Sequence, residues 1–114
     1  MIKTIRIKGK GLLGEYNIAF RLAEYENGNT AVIMDCFTDD EIYDGVFGKL
    51  TVNLGDELPE GYGYIDVNNL GDQITDWIRE NDLGEFTGMS AETVFVKYPL
   101  YKLNMAKIKE YQRP

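Results

Sequence analysis

Histidine is absent from this 114-residue chain. That removes the commonest general base and metal ligand, and with them the usual serine and cysteine triads. The single cysteine, Cys36, rules out an internal disulfide framework, and with no histidine a structural zinc site is excluded as well. No apolar run approaches the roughly 20 residues that a membrane-spanning helix needs. The N-terminus, Met1 to Arg6, alternates charged with apolar residues and has no signal-peptide core. Both features point to a soluble, cytoplasmic protein with no membrane partner. Positive charge is also scarce: 12 Lys and Arg stand against 19 Asp and Glu, for a net charge of −7. Direct nucleic-acid binding, which normally needs a basic face, is not expected. Any catalysis would have to rest on carboxylates, lysine or tyrosine.

What the chain does have is strand material. Eight tyrosines and five phenylalanines favour a pleated, half-buried surface. Residues 2–8 form a short amphipathic strand, followed by a turn at Gly9-Lys10-Gly11. The clearest period of two sets Tyr16, Ile18, Phe20 and Leu22 against Asn17, Ala19, Arg21 and Ala23. This strand runs into Asn27-Gly28, the strongest short-range hairpin signal, and Thr30 to Phe37 reads as the return strand. Thr38 to Gly45 breaks the pattern. Residues 46–54 resume it with Leu50, Val52 and Leu54 on one face. Gly55 to Gly61 reads as a loop, and Tyr62 to Val67 as another strand.

Leu70, Ile74, Trp77 and Ile78 then fall at helical spacing, with Asn68-Asn69 as the N-cap and Asp72 and Arg79 suiting the helix dipole. Leu83 to Gly88 reads as a turn-rich connector, Thr93 to Tyr98 as a strand, and Pro99 as its edge or a bend. Asn104 can cap a terminal helix with Met105, Ile108 and Tyr111 facing inward. The expected fold is α+β: a mainly antiparallel sheet of about five or six strands, a central helix over about 69–81 and a short C-terminal helix over about 104–111. With no repeat, low-complexity tract or linker, residues 1–114 read as one domain.

The net charge hides a segregation. Asp35 to Glu92 holds fifteen acidic residues against two basic ones, Lys49 and Arg79, while both flanks are net basic. Two readings stand side by side. Acidic loops and helix faces serve solubility, or they form a surface that meets a basic partner and gains from electrostatic steering, in the extreme case imitating a phosphate backbone. Asp39, Asp40, Glu41, Asp44, Asp56, Glu57 and Glu60 are the candidate contacts, because they cluster in two expected loops that flank one strand.

Catalytic readings find little support. Asp39-Asp40-Glu41 with Asp44 offers oxygen ligands but not the EF-hand spacing, so neither a dedicated metal site nor a cofactor is indicated. Neither Gly9-Lys10-Gly11 nor Gly84 to Gly88 has the spacing of a phosphate loop. Cys36 in a strand reads as a small core hydrophobe, and Trp77 as core. Tyr62, Tyr64, Tyr98 and Tyr101 read as strand packing with hydroxyls reaching water.

Four pieces, Leu50 to Gly55, Tyr64-Ile65-Asp66-Val67-Asn68-Asn69, Asn81 to Gly88 (with Leu83-Gly84-Glu85-Phe86-Thr87-Gly88) and Tyr98-Pro99-Leu100-Tyr101, resemble a family of small uncharacterised bacterial proteins. That family is a domain of unknown function often carried on plasmids, conjugative elements and phages. The resemblance covers about residues 46–104, and the N-terminal hairpin matches it in style alone. It implies no activity and no site residues. Small acidic proteins on such elements sometimes occupy the nucleic-acid channel of a host nuclease, an analogy of setting and charge. The leading expectation is a noncatalytic module that binds a protein with a basic surface. The alternatives are a homodimeric accessory protein joined at a sheet edge or tyrosine face, and a carboxylate-dependent hydrolase.

Overall fold

The computed structural model describes residues 2–8 and 14–114, so the expected turn at Gly9-Lys10-Gly11 lies outside the described residues. The elements are β1 (Ile5–Lys8), β2 (Glu15–Glu24), β3 (Thr30–Phe37), β4 (Tyr43–Lys49), β5 (Thr51–Val52), β6 (Tyr62–Ile65), α1 (Val67–Leu70), α2 (Ile74–Glu80), β7 (Gly84–Glu92), β8 (Lys97–Leu103) and α3 (Met105–Glu110). They form an α+β fold with two antiparallel four-stranded sheets, ordered β1-β2-β3-β4 and β5-β6-β8-β7, where one sheet of five or six strands is expected from sequence.

Two sheets arise because one stretch of chain serves both. β4 pairs with β3 as far as Lys49 opposite Ile33, and Thr51 then pairs with Ile65 of β6. The bend falls at Leu50, which is fully buried. Its N–H donates to the Val32 carbonyl at 2.8 Å and its own carbonyl accepts from Asp66 N–H at 3.0 Å. Next to it, the Thr51 hydroxyl accepts from the Val32 N–H at 3.1 Å. Strands that switch sheets at a bend are how stacked sheets share a corner.

The alternation in β2 and β3 decides what lies between the sheets. Ile18, Phe20, Val32, Met34 and Cys36 point inward, joined by Leu50, Ile65, Tyr101 and Leu103 from the second sheet and by the helices. The helical stripe behaves as expected: Leu70, Ile74, Trp77 and Ile78 are all buried. Trp77 packs edge-on against Phe20, and its indole N–H donates to the Arg6 carbonyl at 2.9 Å. The expected single helix is two, because Gly71 takes φ +84° and ψ 160° and ends α1, a conformation that costs glycine little. The cap is Asp66, which accepts from Asn69 N–H, and not Asn68 or Asn69. At the C-terminus Asn104 caps α3 as expected, accepting from Lys107 N–H.

The first hairpin turns where expected, with Gly28 at φ +87° and Asn27 and Asn29 acting through their side chains. Two further expectations change. Leu83 to Gly88 is not a connector, since β7 begins at Gly84 and carries a bulge between Phe86 and Ser90. Residues 93–96 are the β7–β8 turn, and the strand runs from Lys97 to Leu103. Pro99 lies in β8 just past its last pair with β6, Tyr64 opposite Leu100, where a missing N–H costs least.

The outer face of the second sheet has its own cluster, Tyr64, Tyr98 and Leu100, covered by Leu54 and Leu58 from the loop after β5. Asn29, buried in the first hairpin's turn, clips that loop in place. Its amide donates to the Asp56 carbonyl at 2.7 Å and to Asn53 Oδ1 at 3.2 Å, and its oxygen accepts from Leu58 N–H at 2.9 Å. Asn29→Ala should cost about 2 kcal/mol, because the Leu58 and Asp56 backbone groups lose a buried partner. Urea denaturation checks the cost, and faster amide exchange at Leu58 than at Ile65 would locate it.

Candidate interaction surfaces

The structure separates the seven acidic residues into two sites. Asp39, Asp40 and Glu41 occupy the β3–β4 turn, Asp44 stands on β4 itself, and Asp56, Glu57 and Glu60 lie in the loop before β6. The strand between them, Tyr43 to Val52, spans up to about 30 Å at 3.3 Å per residue, so the loops face opposite ends of the bent strand. Several of these acids also work locally. Asp39 accepts from the Asn17 amide at 2.9 Å and Glu41 from Ile2 N–H at 2.6 Å. Asp56 accepts from the Tyr64 hydroxyl at 2.7 Å, a bond that, together with burial, pushes the Tyr64 phenol up. Among the described residues no group of three or more His, Cys, Asp or Glu is placed to hold a metal ion.

The buried charge lies elsewhere. Asp35 is fully buried on the outer face of the first sheet, opposite the core. Arg21 meets it with two bonds, Nε to Oδ2 at 2.9 Å and Nη2 to Oδ1 at 3.2 Å, and Arg113 reaches Oδ2 at 2.9 Å. Burial alone would push the Asp35 carboxyl up, but the hydrogen bonds and charges of Arg21 and Arg113 outweigh it and hold it below its ordinary range. Arg113 is fixed in turn by the rings of Phe37 and Tyr43, whose centroids lie 5.2 and 4.8 Å from the guanidinium carbon. Its backbone N–H donates to the Phe20 carbonyl, while Phe20 N–H donates to Tyr111 O, both at 2.8 Å. The tail thus takes the place beside β2 that β1, which starts at Ile5, leaves open. Charged residues at alternating positions 21 and 35 are visible in the sequence, but the third partner, 78 residues away in the chain, carries no local signal.

Two other features stand out. The β7–β8 turn presents Val94 and Phe95 at 89% and 92% exposure. Thr93 closes it with both its N–H and its hydroxyl: Thr93 N–H donates to Val96 O at 2.8 Å, and Val96 N–H donates to Thr93 Oγ1 at 3.1 Å. Phe86 and Met89 on β7 are exposed as well. Between β1 and α2 an open cleft of about 470 Å³ has an apolar floor of Ile7, Phe47, Leu70, Ile74 and Trp77. Cys36 is buried, and burial, with the charges of Asp44 and Asp35, pushes its thiol up, which leaves it unreactive.

Among the described residues the arrangement is that of a two-sheet α+β fold with a buried carboxylate paired to two part-exposed arginines and an exposed apolar turn. The chain belongs to the family described as Domain of unknown function (DUF4313), whose model matches residues 19–114. The match takes in most of the first hairpin as well as the segments that carry the resemblance in the sequence. No curated protein and no solved structure matches the chain.

The Asp35 cluster has a pH signature. A carboxyl held below its unfolded value of about 3.9 stabilises the fold fully above that pH and loses the contribution as pH falls through the folded-state value. Asp35→Asn should cost about 2 kcal/mol near neutrality, the loss of charge-assisted hydrogen bonds to two part-exposed arginines. It should also flatten the stability–pH curve between about pH 5 and pH 2, checked by urea denaturation across that range. Parallel curves for the two proteins would mean that the arginines do not hold the carboxyl down.

Proposed function

We propose that the chain is a noncatalytic protein-binding module, cytoplasmic and carried by a bacterial mobile element, that docks its Val94–Phe95 turn into an apolar pocket on a partner with a basic surround. The observation that carries this reading is the exposure of those two side chains at a turn closed by Thr93. Tight hairpin turns favour Asn, Asp and Gly, and an exposed Val–Phe pair gives the folded chain nothing in return. A protruding aromatic that can fill a desolvated pocket on a partner is the kind of side chain that anchors a binding hot spot.

The net charge of −7 supports a basic partner, with the candidate acids acting through long-range attraction and not as one contiguous row. A nucleic-acid mimic gains from the net charge but not from the separation of the two acidic loops. The noncatalytic part rests on Asp35, sealed and held ionised behind two guanidiniums, and on the buried thiol, neither poised for chemistry. Binding to a partner is favoured over a sheet-edge homodimer because both long edge strands are irregular. β4 meets β3 with two register shifts and β7 meets β8 with one, and bulges blunt an edge against pairing.

The test is affinity capture from bacterial host lysate with three baits, at low and high salt. The baits are the wild type, Phe95→Ser, and a variant with Asn or Gln at positions 39, 40, 41, 44, 56, 57 and 60. Phe95→Ser should lose a specific partner at both salt concentrations, by about tenfold or more in affinity. The neutralised variant should keep the partner more weakly and with a smaller salt dependence. Identical capture by all three baits would end this reading.

A further inference from the structure

Although the chain is acidic, the outer face of its first sheet is cationic. Cross-strand register sets Arg21, Ile33 and Lys49 in one row, Ala19, Asp35 and Val46 in the next, and Asn17, Phe37 and Tyr43 in a third. All point away from the core residues Ile18, Phe20, Val32, Met34 and Cys36, and Arg113 enters from the tail. Asp35 is the one carboxylate among these nine residues, fully buried and neutralising one of three cations; a second, Asp39, reaches only the far end of the face, where it bonds Asn17 and pairs with Arg6 of β1. Arg21, Tyr43, Val46 and Lys49 are exposed there.

Asp35 also organises the arginines. A guanidinium has five N–H donors; Arg21 gives Nε and Nη2 to the carboxylate, and Arg113 gives Nη1. Each guanidinium is held on one side by Asp35, and Arg113 also by stacking on Phe37 and Tyr43, yet the two side chains keep 45% and 28% exposure, which leaves their remaining donors for a ligand. Held this way, they lose little freedom when they bind. Lys49 stands two strands from Arg21, about 10 Å away at the usual strand spacing, on the other side of Ile33.

We infer that Arg21, Arg113 and Lys49 form a binding site for an oxyanion, a phosphate or carboxylate group, on the outer face of the first sheet. The pair of guanidiniums gives it directed hydrogen bonds and Lys49 adds a point charge. The overall negative charge makes binding local and weak for a free ion, so a ligand bearing the oxyanion gains most when its body rests on Tyr43 and Val46.

The experiment is NMR titration of the isotope-labelled chain with inorganic phosphate, and separately with acetate, at constant ionic strength set by chloride. The expected result is saturable shifts at the Arg21 and Arg113 side-chain N–H groups and at the backbone of residues 31–35 and 46–49. Tighter binding of phosphate would assign the ligand class as a phosphate, and tighter binding of acetate a carboxylate. Arg21→Gln and Lys49→Gln should each weaken binding about fivefold or more, against an unchanged response in Lys102→Gln on the second sheet. Lys49→Gln is an exposed change that keeps the fold, so it decides the matter if Arg21→Gln unfolds. Shifts that do not saturate, or that Lys49→Gln leaves unchanged, would overturn the site and reduce the arginines to neutralising Asp35.

Discussion

The molecule depends on one bend in one strand. Because the chain from Tyr43 to Val52 turns at Leu50 from the first sheet into the second, the two sheets share a buried corner and a common core. The polar groups of that corner are satisfied locally, by Val32 and Asp66 for Leu50 and by Val32 for the Thr51 hydroxyl. Each buried backbone group left unpaired there would cost about 1–3 kcal/mol, as much as burying a leucine side chain returns. The same bend carries the loop after β5 over the outer face of the second sheet, where Asn29 can reach it.

The ionic cluster solves a different problem. The place beside β2 beyond the start of β1 would be an open sheet edge, and edges invite pairing with other chains. The tail fills it with backbone bonds at Phe20, and Arg113 anchors the tail by crossing to Asp35 and stacking on two rings. Isolated buried ion pairs often contribute little to stability. This one fixes where the last residues lie, and in doing so it gives the sheet face its cationic character.

Local rules made much of this legible from sequence. The alternation through Tyr16 to Leu22, the turn near Gly28, the stripe Leu70, Ile74, Trp77 and Ile78, and the cap at Asn104 each depend on near neighbours, and each holds in the structure. The failures come where near neighbours mislead. Gly84 and Gly88 look like turn residues, but Gly84 opens a strand and Gly88 sits in its bulge. Thr93, Val94 and Phe95 have strand composition, but the Thr93 side chain closes a turn around them. The bend at Leu50 and the reach of Arg113 to Asp35 are long-range outcomes with no marker in their own segments. Of the seven candidate acids read as flanking one strand, Asp39, Asp40, Glu41, Asp56, Glu57 and Glu60 lie in loops on either side of it, while Asp44 stands on β4 itself.

The proposed division of labour is simple: a core and a clipped loop for stability, an ionic cluster for the tail, and a protruding turn for recognition. It requires that Val94 and Phe95 contribute nothing to the fold. The direct measurement is the unfolding free energy, by urea denaturation, of the double variant Val94→Ser, Phe95→Ser. The account predicts a value within about 0.5 kcal/mol of the wild type, as for surface positions away from any packed feature. A loss of about 2 kcal/mol or more would mean that the turn packs against the domain, and would contradict its assignment as a free contact.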